Sequence, residues 1–250
     1  MRPRPWRAIW RSSRAAGPPP KEQRWSGYYD YYLEQARRQG VSPVAVLDEQ
    51  WADGRESAAL VLPYVAPTST VLEIACGIGR VARFVAPHCR QLHCADILDQ
   101  ALRQARQTLK DAPNVSFHKI EGYDLQDFAA DAFDCVYSFT AFFHFDLELV
   151  AHYVREIKRV LTPGGTAVIE FKRWTEAEDV AELLEKIESQ GGIRQYEAKL
   201  DKWRYVSAGM LRLLCEYFAL EVVDDDVRRF TFRKSAGAQP TSAISSKASM

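Results

Sequence analysis

Two acids, a glycine turn and a histidine are spaced in this chain so that together they could hold and act on a small ligand. Glu73 stands inside the apolar run Val71-Leu72-Glu73-Ile74-Ala75, four residues ahead of Gly77. Cys76-Gly77-Ile78-Gly79 reads as a tight turn, and Asp96 closes a second short run, Gln91-Leu92-His93-Cys94-Ala95. His144 follows a third, Phe133 to Phe139. A glycine turn opening a helix is a cradle for phosphate or carboxylate, because the backbone can pass close and free N–H groups favour an anion. An acid ending a strand can accept from both hydroxyls of a ribose, or cap the helix that follows. A histidine has the pKa range of a general base near neutral pH.

The elements that must position these groups follow from hydrophobic period. Val71 to Ala75 reads as a buried strand interrupted by one acid, and Val81, Phe84 and Val85 carry helical spacing over Arg80 to Val85. Gly77-x-Gly79-x-x-Ala82, with Asp96 about twenty residues on, satisfies the dinucleotide fingerprint. Glu73 argues for another ligand. A carboxylate in the strand would lie under a pyrophosphate and repel it, whereas it suits a cationic amine. S-adenosylmethionine offers an amine, a carboxylate, a sulfonium and a ribose, and no phosphate. A nicotinamide oxidoreductase remains the alternative on this ground.

Val71 to Arg80 resembles motif I of the class I S-adenosylmethionine-dependent methyltransferases, of the small-molecule kind (methyltransferase domain 11/25-like), with Ala75 where the family has glycine. Alanine there would restrict the backbone if a positive φ were needed. The resemblance runs from about residue 60 to about residue 235 and includes Arg155 to Gly165, where Pro163 should end a helix and Gly164-Gly165 should turn the chain into the strand Ala167 to Phe171. It implies an α/β Rossmann-like doubly wound sheet of seven mostly parallel strands, closed by an antiparallel hairpin from Leu220-Val223 and Arg229-Arg233 and preceded by a helical lid. It implies S-adenosyl-L-methionine as cofactor, held by Glu73, Ala75, Gly77, Gly79, Asp96, Ile97, Tyr123, Asp124, Leu125 and Phe139. Ile97 would lie against the adenine. Asp124 would accept from its exocyclic amine, beside backbone groups of Tyr123 and Leu125, although Glu121 to Leu125 is also plain turn composition. His144 lies where the methyl group would be delivered, as general base or as a structural hydrogen-bonder.

Composition bounds the partners. The chain has 250 residues, with Lys plus Arg and Asp plus Glu both 33, so its formal charge is zero. That gives no electrostatic support for nucleic-acid or membrane-surface binding. No apolar run approaches the roughly 20 residues of a membrane helix. The five cysteines (Cys76, Cys89, Cys94, Cys135, Cys215) lack CxxC spacing and read as buried thiols of a reducing, cytoplasmic setting. No metal site is indicated. A small-molecule acceptor follows, taking the methyl on oxygen or nitrogen. A cofactor-binding protein of this fold that transfers no methyl, and a protein or RNA methyltransferase, are the alternatives. Oligomeric state is not legible.

Residues 1–24 form an Arg- and Pro-rich arm without helical pattern. It is either disordered, an overextended start or a targeting arm. Residues 25–69 read as a lid segment, as the resemblance implies, or as an amphipathic helix packed on the sheet edge. Trp25, Tyr28, Tyr29, Tyr31 and Tyr32 point around most of one helix, so one face cannot bury them all, and Trp51 is a further lid candidate. A helix over Arg55 to Val65 leads into the domain of residues 70–235. Ala101, Leu102, Ala105 and Leu109 form one helix face, and Asp146 should cap a helix buried through Val150, Val154, Ile157 and Leu161. His118 reads as an ordinary strand histidine. A charged helix over 176–190 should bury Val180, Leu183, Leu184 and Ile187, and 191–205 reads as irregular; the resemblance implies that it borders the acceptor, with Tyr196, Trp203 and Tyr205 serving either a flat acceptor or core packing. Residues 236–250 lack periodicity and read as a disordered tail.

Overall fold

The computed structural model describes residues 21–50, 53–174, 176–198, 202–226 and 229–236. Trp51 and most of both expected tails lie outside the described residues. Three helices precede the sheet: α1 (Lys21–Gln39), α2 (Pro43–Gln50) and α3 (Gly54–Val61). α1 begins a few residues before the aromatic run and ends at Gly40, whose φ of +68° makes it the left-handed stop that glycine supplies.

The sheet is built from β1 (Thr70–Ile74), β2 (Gln91–Asp96), β3 (Val115–Lys119), β4 (Phe133–Ser138), β5 (Leu161–Glu170), β8 (Leu220–Asp225) and β9 (Arg229–Lys234). Its order is β3-β2-β1-β4-β5-β9-β8. The pairs from β3 through β5 are parallel, and β9 runs antiparallel to both β5 and β8. The expected doubly wound sheet with its terminal hairpin is therefore present. The crossovers carry α4 (Ala82–Val85), α5 (Asp99–Thr108) and α6 (Leu147–Val160). Strand order reverses at β1, with β2 on one side and β4 on the other. In open α/β sheets the crevice beyond the carboxyl ends of such strands is where ligands bind.

Burial follows the sequence periods. Ala101, Leu102 and Ala105 of α5 are buried, and α6 buries Val150, Val154 and Ile157. One apolar cluster on each sheet face results, one under α6 and the hairpin, the other under α3 to α5. Tyr32 is buried, Tyr31 is 51% exposed and Tyr28 and Tyr29 fall between, so the tyrosines do point around the helix.

Several expectations are corrected. The helix after the glycine turn is only α4, four residues long; turns extend through Val81 and a 3-10 turn, Ala86–His88, follows at Pro87. Strand β5 begins at Leu161, so Pro163, Gly164 and Gly165 lie within its irregular start and do not separate it from the helix. Residues between β5 and β8 form a cap: β6 (Lys172–Arg173), α7 (Ala177–Ser189), α8 (Ile193–Ala198), β7 (Tyr205–Val206) and then α9 (Ala208–Tyr217). α7 buries no residue, and Leu184 is 54% exposed, because the helix lies outside the sheet layers. Its anchor is the parallel pairing of β6 with β7 and the ring of Trp203, which receives Lys172 Nζ at 4.2 Å and Lys186 Nζ at 4.1 Å. The stretch expected to be irregular contains α8, whose Tyr196 hydroxyl bonds both the N–H and the carbonyl of Trp203 at 2.9 Å.

Candidate functional site

A cavity of about 330 Å³ opens at the carboxyl ends of β1, β2 and β4, within the range of small-molecule sites, about 300–1,000 Å³. Ala75, Asp96, Ile97 and Ile120 come from strand ends and Gly122 from the loop after β3. Trp25, Tyr28 and Tyr29 close it from α1, so the aromatic entry segment is a wall of the site. His144, Phe145, Leu149 and Tyr153 complete the far end, with Lys202 and Arg204 from the cap. A second hollow of about 50 Å³ lies beside it, around Glu73, Gly77, Arg80 and Phe139. Tyr28, Tyr29, Ala75 and Thr140 line both.

Asp96 ties the strand end to the glycine turn. Its Oδ2 accepts the Gly77 N–H at 2.9 Å and its Oδ1 accepts the Leu98 N–H at 2.9 Å. Asp96 does not cap α5, whose N-cap is Leu98 without a side-chain cap; each carboxylate oxygen has a further lone pair, and the group lines the main cavity. Burial pushes its pKa up to about 6, against the lowering effect of those backbone bonds. Gly77 has a φ of +54°, and a Cβ there would stand 2.7 Å from the Tyr29 hydroxyl. The lid therefore rests directly on the turn, which only glycine permits.

Glu73 is 3% exposed and faces the smaller hollow. The Tyr137 hydroxyl donates to its Oε2 at 3.0 Å. Burial drives its pKa up to about 8, with the Tyr137 bond and the Arg80 guanidinium opposing. Ala75 has a φ of +57°, the left-handed conformation that alanine was expected to resist. Thr140, after β4, has the same φ of +57°. Two strained non-glycine residues thus flank the junction of the two hollows, and such residues cluster at ligand sites.

His144 ends a 3-10 turn, Phe142–His144. Its Nδ1 lies 3.3 Å from the Lys202 carbonyl and its ring meets Trp25 edge-on, centroids 4.8 Å apart. A carbonyl only accepts, so Nδ1 carries the proton and Nε2 the lone pair. The ring therefore has a structural bond and a basic nitrogen at once.

Other expected contacts are placed differently. Tyr123 is 54% exposed and Leu125 is fully buried in the core, which leaves only their backbone groups, as expected of them, to face a ligand. Asp124 accepts from the Gln126 N–H at 3.3 Å, as its turn composition dictates, and Ile120 and Gly122 line the wall instead. Gly79 faces α5, where a Cβ would meet Leu109 at 3.0 Å, so it serves packing. Asp146 stands at the N-cap of α6 but makes no side-chain cap; Arg204 holds it at 2.8 Å. His118 is bonded to His93 across β2 and β3, Nε2 to Nδ1 at 2.9 Å, away from the cavity. Tyr153, Lys202 and Arg204 are cavity-lining residues the sequence did not reveal. Tyr153 could have been found from its place on the α6 stripe beside Val150 and Val154; the others depend on how the cap folds back.

No group of three or more metal-ligating side chains occurs among the described residues, and among them no helix is long and apolar enough to cross a membrane.

Comparison with known proteins agrees with this geometry. Residues 71–165 match a family described as a methyltransferase domain. Nodulation protein S of Rhizobium tropici is 26% identical over 156 residues, 55% of this chain and 64% of that protein, so the match spans less than two thirds of its length. The crystal structure of the N-methyltransferase NodS of Bradyrhizobium japonicum in complex with S-adenosyl-L-homocysteine is similar with a TM-score of 0.53, 20% identity and coverage of 72% of this chain and 85% of that one. The [4+2]-cyclase SpnF is similar with a TM-score of 0.57, 18% identity and coverage of 73% and 81%. At these identities the solved structures establish the shared fold.

Proposed function

From a chain whose residues 71–165 match a methyltransferase domain, we propose that the protein transfers a methyl group from S-adenosyl-L-methionine to a nitrogen or oxygen of a small-molecule acceptor. The observation that carries this reading is the buried acid Glu73 beside Arg80, under a glycine turn clasped by Asp96. An ammonium and a carboxylate on one ligand suit that pair, and a diphosphate does not. In this reading Glu73 and Arg80 would hold the amino-acid end of the cofactor, Asp96 its ribose, and Ile97 and Ile120 its adenine. Loop backbone near Gly122 meets the ring edge. The relatives named as nodulation protein S and as an N-methyltransferase favour nitrogen.

When bound, the cofactor supplies an electrophilic methyl carbon on sulfonium. The chain's part is alignment and exclusion of water. Trp25, Tyr28 and Tyr29 close the cavity from the lid side, and Phe145 and Tyr153 offer the acceptor flat apolar walls. The acceptor's lone pair would take that methyl, with Glu73, Arg80 and Asp96 holding the cofactor and Phe145 and Tyr153 flanking the acceptor. A hydroxyl or amine acceptor must then lose a proton, and His144 Nε2 is the basic nitrogen at that end of the cavity. Its Nδ1 bond to the Lys202 carbonyl fixes the ring. The five buried free thiols suit a reducing compartment, and we place the reaction in the cytoplasm.

Incubation with methyl-labelled cofactor and fractionated extract tests the reading. Label should appear in small molecules. Label in protein or RNA would reassign the acceptor, and binding without any transfer would make this a methyltransferase fold used for other chemistry, as in the cyclase SpnF.

A further inference from the structure

Thr140 holds a conformation its own side chain disfavours. Its φ of +57° lies in the left-handed region, and for a β-branched residue that is a genuine outlier. The position matters, because Thr140 leaves β4 at the reversal of strand order and lines both the main cavity and the smaller hollow. With Tyr28, Tyr29 and Ala75 it forms the neck between them.

Its hydroxyl is tied to its own turn, donating to the Phe139 carbonyl at 2.7 Å. What reaches it from elsewhere is Glu170, the last residue of β5. Glu170 Oε2 accepts the Thr140 backbone N–H at 2.6 Å, and a carboxylate is a strong acceptor for a backbone N–H. The next residue, Phe171, is locked in the core at 1% exposure, and β6 then starts the cap. The carboxylate is therefore presented from a fixed strand end. Strained backbone persists only where its surroundings over-determine it, and among the described contacts of Thr140 this is the one made by a distant residue.

We propose that Glu170 is a positioning residue: its carboxylate holds Thr140 in the left-handed turn and so sets the neck joining the nucleoside cavity to the hollow of Glu73 and Arg80. The proposal rests on the cofactor reading above. Without the carboxylate, Thr140 relaxes toward negative φ and the backbone at the neck turns, which misaligns the two ends of one ligand.

Titration calorimetry with S-adenosylhomocysteine tests it, on the intact chain and on Glu170→Gln, Glu170→Ala and Glu170→Ala combined with Thr140→Gly, each checked by thermal melting. Glu170→Ala should bind about tenfold more weakly, while Glu170→Gln, which keeps a carbonyl acceptor, should lose no more than about threefold. The double variant should recover to within about threefold of the parent, because glycine occupies the left-handed region without steric cost. Thermal melting separates a plain loss of fold stability from a loss of affinity, since every affinity is measured well below the variant's own midpoint. Parent-like binding by Glu170→Ala, or a double variant that binds no better than Glu170→Ala, overturns the proposal. If Glu170→Ala does not fold, a double variant that folds and binds supports it, and one that does neither overturns it. Failure of the unmodified chain to bind S-adenosylhomocysteine would instead overturn the cofactor reading.

Discussion

Replacing Glu73 with Gln should uncouple cofactor binding from pH. Burial holds the Glu73 pKa at about 8, well above its ordinary 4.5. At pH 7 about one tenth of the free protein therefore carries the carboxylate. An ammonium group needs that carboxylate, so binding should draw the group into its ionised form and release nearly one proton per ligand. Affinity for S-adenosylhomocysteine should then rise about tenfold between pH 6 and pH 7 and level off above pH 8. Gln keeps an acceptor for the Tyr137 hydroxyl, now 3.0 Å from the carboxylate, but cannot ionise. The variant should lose the pH slope, and at pH 8 it should bind more weakly by about 1–3 kcal/mol. Fold stability should move the other way. A folded-state pKa raised above the unfolded one contributes stability that is complete below pH 4.5 and is lost as pH rises through about 8. At about 1.4 kcal/mol per pH unit of separation, that loss is on the order of 5 kcal/mol, and an amide at this position, which has no proton to lose, abolishes it. Calorimetry in buffers of different ionisation enthalpy counts the proton, and urea midpoints across pH report the stability. A parent protein that releases no proton, or a Glu73→Gln variant that keeps the same slope, would refute the assignment of Glu73 to the amine.

Three further outcomes follow from the geometry. Ala75→Gly should raise stability by up to about 1 kcal/mol in urea unfolding, since relief of left-handed strain outweighs the added entropy of the unfolded glycine. Gly54→Ala should cost about 1–3 kcal/mol and weaken S-adenosylhomocysteine binding, because its Cβ would stand 2.3 Å from the Arg80 carbonyl and must displace the floor of the smaller hollow. His144→Ala should cut turnover, by about 100-fold if the ring acts as general base, while cofactor affinity measured by calorimetry stays within about threefold.

The parts of this protein legible in its sequence are those governed by local period and turn chemistry. The Val71 to Gly79 strand and turn, the Asp96 strand end and the terminal hairpin follow from alternation, glycine placement and burial. The strain at Ala75 was legible too, because alanine stands where a positive φ is needed. What escaped depends on long-range return of the chain. Glu170 and Thr140 are 30 residues apart, and their bond exists only because β4 and β5 are neighbours. Lys202 and Arg204 reach the cavity because β7 pairs with β6, a two-residue contact that no pattern announces. The apolar spacing of Val180 and Leu184 misled for a complementary reason. Periodicity marks an amphipathic helix without saying whether the sheet has room for it, and α7 lies outside.

The account turns on where the amino-acid end of a bound nucleoside lies. A crystal structure with S-adenosylhomocysteine is predicted to place its ammonium within hydrogen-bonding reach of Glu73, its carboxylate toward Arg80 and its ribose hydroxyls on Asp96. A nucleoside whose ammonium points away from Glu73, or a phosphate-bearing ligand seated over Gly77, would contradict it.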